Sequence, residues 1–358
     1  MWHTFKRLLL GFSLILAASA VLLLSDTSGR REPERRVAPG RTFRIGLAYF
    51  APDPGAESCM RGLFDGLRVL GFVEGRNLEV VRVHAQGEIA TIPAMLQALD
   101  GQRLDLIVPM TTPCLTGACA VVKNSPVVFT YVYDPIAAGA GKSFTEHMPN
   151  VTGIGSFPPV ADTVAMIRKL VPEAKVVGTI YNASEANSRK VVEVARGAFS
   201  AAGIRLEEVA ISNSSDVFQA AQALVARGVA AFWITGDNTA LLAFDGIVKA
   251  ATDAGLPIIN NDPEFLDKGA LATVGIGFYE SGVAAAKLAA RVLRGEPPKG
   301  LAIENVAKKT VGVNMTVARR LGVSVPNEVL AAADAVVDET GRHERAAARS
   351  APAPTPLL

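Results

Sequence analysis

The chain has 358 residues, 49% of them hydrophobic, with 36 Lys or Arg against 34 Asp or Glu and a net charge of +2. That length allows two compact domains with substantial cores. No basic stripe with interleaved aromatics occurs, which leaves nucleic-acid binding without support; the four histidines (His3, His84, His147, His343) and three cysteines (Cys59, Cys114, Cys119) form no metal-binding spacing.

Lys6 and Arg7 precede Leu8–Leu24, an uncharged apolar run that contains the small-residue site Ala18-Ser19-Ala20. A basic lead, an apolar centre and a small-residue site make a secretory signal. A run of this length also just spans a hydrocarbon core, so residues 1–25 read as a signal peptide or an uncleaved membrane anchor. No cysteine stands near the cleavage site, which excludes lipoprotein attachment there. Residues 26–42 are polar and arginine-rich and read as a linker. Export favours disulfides, but Cys114 and Cys119 on one helix would stand about 8 Å apart, so unpaired thiols are expected.

From Phe43 strands and helices alternate. FRIGLAYF is a strand, and CMRGLFDGLRVLGF has a 3.6-residue apolar rhythm ending at Gly71. NLEVVRVHA, LDLIVPM and SPVVFTYVY are further strands, with helices IPAMLQALDGQ and TGACAVVK between them. The Gly/Pro-rich passage DPIAAGAGKSFTEHMPNVTGIGSFPP interrupts the alternation, which then resumes to KTVGVN and TVARRLG. Helix NTALLAFDGIVKAATDAG and strands AKVVGTIY, IRLEEVAIS, VAAFWIT, LPIINN and LATVGIG belong to this second run. Two β–α runs predict an α/β fold of two doubly wound lobes with parallel sheets. The first lobe is placed at 43–150 plus about 277–303 and the second at 151–276 plus about 304–330. Residues 331–358 form a C-terminal extension whose tail, GRHERAAARSAPAPTPLL, reads as disordered.

Open α/β sheets bind ligands at the carboxyl ends of their strands. The residues there are Ala51 to Ser58, Thr111-Thr112, Asp134-Pro135, Tyr181 to Ser188, Ser212 to Ser215, Gly236 to Asn238 and Asn260 to Asp262. In YNASEANS (Tyr181 to Ser188), Ser184 suits an N-cap, and the turn behind it offers backbone N–H groups and a positive dipole end to an anion. Asn187 and Ser188 add donors, and Glu185 can accept from an ammonium. The same residues also suit plain helix capping and a turn at Asn182. Asp237 reads either as a partner for a ligand amine or as a cap, and Asp134-Pro135 either as a ligand contact or as a turn. No G-x-S-x-G, P-loop, H-E-x-x-H or Rossmann glycine motif occurs, and no nucleophile is paired with a base, so neither an enzyme nor a cofactor is indicated.

The order of these segments resembles the ABC-transporter substrate-binding protein family whose members include tryptophan and tyrosine binders. GLRVLGFVEGRNLEV, SPVVFTYVYDPIAAG, NVTGIGSFPP, PEAKVVGTIYNASEANS, GALATVGIGFYESG and VNMTVARRLGVSVP carry the resemblance from about Phe43 to Pro326, with YN-x-SE-x-NS the most specific motif. The loop AYFAPDPGAESCM departs from the family's wording.

The resemblance implies a type I periplasmic-binding-protein fold whose two lobes, joined by three crossings, close on a ligand. It places Tyr181, Asn182, Ser184, Glu185, Asn187, Ser188, Asp237 and Asn238 on the second lobe's side of the cleft, and Thr111, Thr112 and Asp134 on the first. The function it implies is a monomeric receptor, in the periplasm or on the outer face of the inner membrane. It would deliver a small solute, an amino acid with aromatic side chains favoured, to an ABC permease. The alternatives are a membrane-anchored sensor with no transport role and, less favoured, an enzyme on the same scaffold.

Overall fold

The computed structural model describes residues 40–306 and 308–345. The export segment, most of the linker and residues 346–358 of the tail lie outside the described residues.

The chain opens with β1 (Phe43–Tyr49), α1 (Pro54–Val69), β2 (Leu78–His84), α2 (Ile92–Asp100), β3 (Leu106–Pro109), α3 (Thr112–Val121), β4 (Val127–Val132) and β5 (Val151–Gly155). It continues through α4 (Val160–Leu170), β6 (Val176–Asn182), α5 (Ala186–Ala201), β7 (Arg205–Ile211), α6 (Val217–Ala226), β8 (Ala231–Ile234), α7 (Asn238–Leu242), α8 (Phe244–Asp253) and β9 (Ile258–Asn260). After a 3-10 segment, Pro263–Lys268, come β10 (Ala272–Ile276), α9 (Phe278–Leu293), β11 (Glu304–Asn305), β12 (Lys309–Asn314), α10 (Met315–Leu321), α11 (Asn327–Ala332), β13 (Ala335–Asp338) and β14 (Gly341–Glu344).

Two sheets form, in the orders β11-β5-β4-β3-β1-β2 and β14-β13-β12-β10-β9-β8-β6-β7. The first is parallel throughout. The second is parallel except where β10 meets β12 and β13 meets β14. Strands β3 and β4 are buried along their whole length, which is why they read as unbroken apolar runs rather than alternating ones. Each lobe has its own core. Ile107, Leu115, Val127 and Phe129 centre the first, and Ile180, Leu224, Phe232 and Ile247 one face of the second.

Helix α1 begins where Asp53 caps it, its carboxylate accepting from Ala56 N at 2.9 Å, with Pro54 in the first turn. Its Gly62 faces α9 so closely that a Cβ would overlap the Tyr279 carbonyl, and Gly282 of α9 is as close to Cys59 of α1. This pairing fixes α9 to the first lobe after the chain leaves β10 of the second. The chain passes between lobes after β5, after β10 and after β11, which makes three crossings.

The lobe limits differ from those expected. Val151–Gly155 pairs with β4 and Glu304–Asn305 pairs with β5, so both belong to the first sheet rather than to the second lobe. Residues 331–345 are not a free extension. Val336 and its neighbours pair with β12, and Gly341–Glu344 folds back as a hairpin on β13. Asp338 Oδ1 accepts from Thr340 N at 2.8 Å inside that turn. Helix NTALLAFDGIVKAATDAG is two helices broken at Ala243. All three cysteines are free thiols, with Cys114 and Cys119 on the same helix, as expected. Among the described residues no helix is long and apolar enough to cross a membrane.

Candidate functional site

The second lobe's side of the cleft is built on two carboxylates. Glu185, 1% exposed, precedes α5. Its Oε1 accepts from Thr239 N at 2.9 Å and Thr239 Oγ1 at 2.7 Å. Its Oε2 accepts from Asn238 N at 3.1 Å, Asn238 Nδ2 at 2.5 Å and Asn187 Nδ2 at 3.3 Å. Asp237 is fully buried and caps α7 through Ala240 N at 2.7 Å, while its other oxygen accepts from Asn182 N and Ser188 Oγ, both at 2.6 Å. Burial, and then the Glu185 carboxylate beside it, push the Asp237 carboxyl above its ordinary range. The two acids lock the turns after β6 and β8 together, so their oxygens are already occupied by the protein's own donors.

That lock leaves other groups for a solute. Asn187, 2% exposed, donates from Nδ2 to Gly236 O at 2.9 Å, which leaves its Oδ1 buried and unpartnered. Neither α5 nor α3 has a side-chain cap, so the first-turn N–H groups of both helices lack a capping side chain.

On the first lobe, Thr111 turns into α3 with φ 79 and Tyr131 interrupts β4 with φ 58, both in the left-handed region that non-glycine residues rarely occupy. Tyr131 is held there by a 3.1 Å hydrogen bond from its hydroxyl to Asp53 and by edge contact with Phe278 at 4.2 Å. The turn of Tyr131 coincides with a register shift between β4 and β5 and brings Tyr133 to the cleft. Tyr133 Oη then crosses between lobes to donate to Asp262 Oδ1 at 2.5 Å. Gly236 makes room for this: a Cβ there would overlap the Tyr133 hydroxyl and ring.

Asp262 is fully buried and its Oδ2 has no partner. Burial pushes its carboxyl up to about 8, against the Tyr133 hydrogen bond, with Glu264 and Asp53 adding repulsion. Burial likewise raises Glu264 to about 7 and lifts Asp53 above its ordinary value.

Among the described residues, cavities lie between the lobes at two places. The central one, about 10 Å³, is lined by Thr112, Tyr131, Tyr133, Asn187, Gly236 and Asn238 and has room for about one water. The other, about 360 Å³, lies between the Gln86–Ala90 loop of the first lobe and Asn182, Ser184, Ser212–Ser214, Thr239 and Leu242 of the second. It sits beyond the ends of edge strands β2 and β7, on the side opposite the crossings, and therefore forms the cleft's mouth.

The expected site residues thus separate. Thr112, Asn187 and Asn238 meet at the central cavity, and Asn182 and Ser184 line the mouth. Thr111, Glu185, Ser188 and Asp237 lie behind them as buried framework. Ser184 is not the N-cap; Glu185 holds that position, and Ser184 N donates to Asn182 Oδ1 at 2.8 Å in the turn before the helix. Asp134 accepts from Ile136 N and Ala137 N, closing a turn. Tyr181 points to the far side of β6, where its hydroxyl donates to Glu208 at 3.2 Å.

The family described as ABC transporter substrate binding protein matches residues 44–337. The chain belongs to that family. A tyrosine-binding protein of Clostridioides difficile (strain R20291) is 27% identical to this substrate-binding protein over 305 residues, 85% of this chain and 87% of that one. Among solved structures, an ABC domain from Streptococcus pneumonia in complex with L-Trp is 27% identical, with a TM-score of 0.80 over 83% of this chain and 100% of that one. A ligand-free, open substrate-binding protein with adhesive properties from Clostridium difficile is also 27% identical but has a TM-score of 0.61, over 80% of this chain and 97% of that one. At equal identity, this substrate-binding protein superposes better on the L-Trp complex than on the ligand-free, open protein.

Tyr131, Tyr133 and Glu264 are not among the strand-end residues of the sequence; Asp262 is, as the acid directly after the apolar strand LPIINN, but nothing in the sequence gives it a ligand role. The tyrosines gave no such signal, because aromatics in a strand read as core.

Proposed function

We propose that this substrate-binding protein is the receptor of an ABC importer for an amino acid, with aromatic side chains favoured. It works outside the cytoplasm as a monomer and passes the solute to a permease in the membrane. The observation that carries this reading is the likeness, over more than four fifths of the chain, to a structure in complex with L-Trp and to a protein named as tyrosine-binding. The polar lining supports it. The uncapped N-termini of α3 and α5 suit a carboxylate without a basic side chain, and Asn187 Oδ1 is a buried acceptor awaiting a donor.

A central cavity of about 10 Å³ is far below the roughly 300–1,000 Å³ of occupied ligand sites, so admission requires the lobes to part. The three crossings are the hinge for that motion, and the mouth cavity is the way in. The test is a thermal-shift panel on the purified full chain with L-tyrosine, L-tryptophan, L-phenylalanine, aliphatic amino acids and sugars. A ligand at a hundred times its dissociation constant adds about 2.7 kcal/mol to native stability. Stabilisation by aromatic amino acids is expected. Stabilisation by a sugar alone would contradict the reading.

A further inference from the structure

Asp262 offers an oxygen that the protein itself does not use. The residue is fully buried, Tyr133 occupies only Oδ1, and Oδ2 has no donor. The acids acting on it, Glu264 and Asp53, carry the same charge. Glu264 adds a second buried unpartnered oxygen, Oε2. The cation that acts on Glu264, Arg342, is bound at 2.8 Å to Asp267 and at 2.6 Å to Glu344. The central cavity has no Lys or Arg in its lining, and its own orphaned atom, Asn187 Oδ1, is again an acceptor. Asn187 and Asp262 are linked through Gly236 and Tyr133: Asn187 holds the Gly236 carbonyl, Gly236 abuts the Tyr133 hydroxyl, and that hydroxyl holds Asp262.

Buried acceptors without donors are costly, and buried carboxylates need a cation or a proton. A ligand that brings N–H groups and a positive charge satisfies both needs at once.

We propose that Asp262, backed by Glu264 and Asp53, seats the primary ammonium group of the ligand at the crossing-side wall of the cleft. This rests on the amino-acid reading above and deepens it. The carboxylate end lies at the helix N-termini and the ammonium end between Asn187 Oδ1 and Asp262 Oδ2. Of the acids singled out in the sequence, Glu185 and Asp237 cannot take that role because protein donors already occupy their oxygens, and Asp134 closes a turn with Ile136 N and Ala137 N.

The experiment measures binding of four probes to the full chain by calorimetry. L-Tyrosine carries both ionic groups, tyramine only the ammonium and 3-(4-hydroxyphenyl)propionate only the carboxylate, with L-tryptophan as a second complete amino acid. The wild type should bind the two amino acids and lose at least tenfold in affinity for the propionate. Asp262→Asn, which keeps the shape and an acceptor for Tyr133, should lose at least tenfold for the amino acids while leaving the propionate within threefold. Glu264→Gln should lose less in the same direction, and it carries the test if Asp262→Asn does not fold. Amino-acid binding that is indifferent to the ammonium and unchanged in both variants would overturn the proposal while leaving the receptor reading intact. Tyramine binding without amino-acid binding, lost in Asp262→Asn, would support the ammonium seat and overturn the amino-acid reading. Binding of none of the four would overturn both.

Discussion

The hydroxyl of Tyr133 and the carboxylate of Asp262 meet at 2.5 Å across the cleft, joining the end of β4 in one lobe to the end of β9 in the other. The bond exists because Gly236, between them and the second lobe's wall, has no side chain. Gly236→Ala would force the phenol aside. Overpacking of this kind costs about 1–3 kcal/mol, and here the cost falls on the closed arrangement. The variant should show a larger radius of gyration in solution scattering and at least tenfold weaker binding of L-tyrosine. Unchanged scattering and affinity would show that Tyr133 does not hold the lobes together.

The same pair sets a pH dependence. Folded Asp262 keeps its proton up to about 8, while the ordinary value is 3.8. Between those values the native state binds more protons than the unfolded one, so this group's contribution to stability falls as pH rises from about 4 to 8. Urea unfolding of the ligand-free protein should show this decline, to which the raised Asp237 and Glu264 add with the same sign, and Asp262→Asn should make it shallower. An equal slope in the variant would assign the decline to other groups.

Glu185 belongs to the framework, and its removal should be read in stability. Glu185→Ala would leave the N–H groups of Asn238 and Thr239 without their carboxylate. Hydrogen bonds to charged groups contribute roughly 1.5–3 kcal/mol each, so a loss of about 3 kcal/mol in urea unfolding is expected. A loss below about 1 kcal/mol would mean that water or another donor set replaces it.

Much of the fold was legible because β–α alternation is written locally, in apolar runs and helical rhythms. What was not legible depended on pairing at a distance. Val151–Gly155 carries two glycines and sits among prolines, yet β4 and β11 on either side make it a strand. GRHE has no apolar residue and is exposed along its length, and only its ladder with Ala335–Asp338 makes it β-structure. The break at Ala243 has no glycine or proline to announce it. The start of α1 could have been read, since Asp53-Pro54 is a cap followed by a first-turn proline. At the site, YNASEANS was recognisable as unusual for a strand end, but a sequence does not say whether a carboxylate faces a solute or a neighbouring turn. Glu185 and Asp237 face turns, whereas Asn187, Asp262 and Glu264 each keep an oxygen without a donor.

Within that motif, Asn187 and Ser184 should separate in binding. Asn187→Ala removes the cleft acceptor and should weaken L-tyrosine binding by about ten- to hundredfold, the equivalent of roughly 1.5–3 kcal/mol. Ser184 is exposed at the mouth and contributes a backbone donor to its turn, so Ser184→Ala should change affinity by less than about threefold. Titration calorimetry of the two variants decides the order. The opposite order would place the ligand in the mouth instead of the central cleft.

The receptor reading itself is tested most directly by titrating L-tyrosine and L-tryptophan into the purified full chain by isothermal calorimetry, with scattering recorded at saturation. A saturable one-to-one heat is expected for at least one of them, with the saturated protein more compact than the ligand-free one. Absence of heat with every aromatic amino acid, together with unchanged scattering, would contradict it.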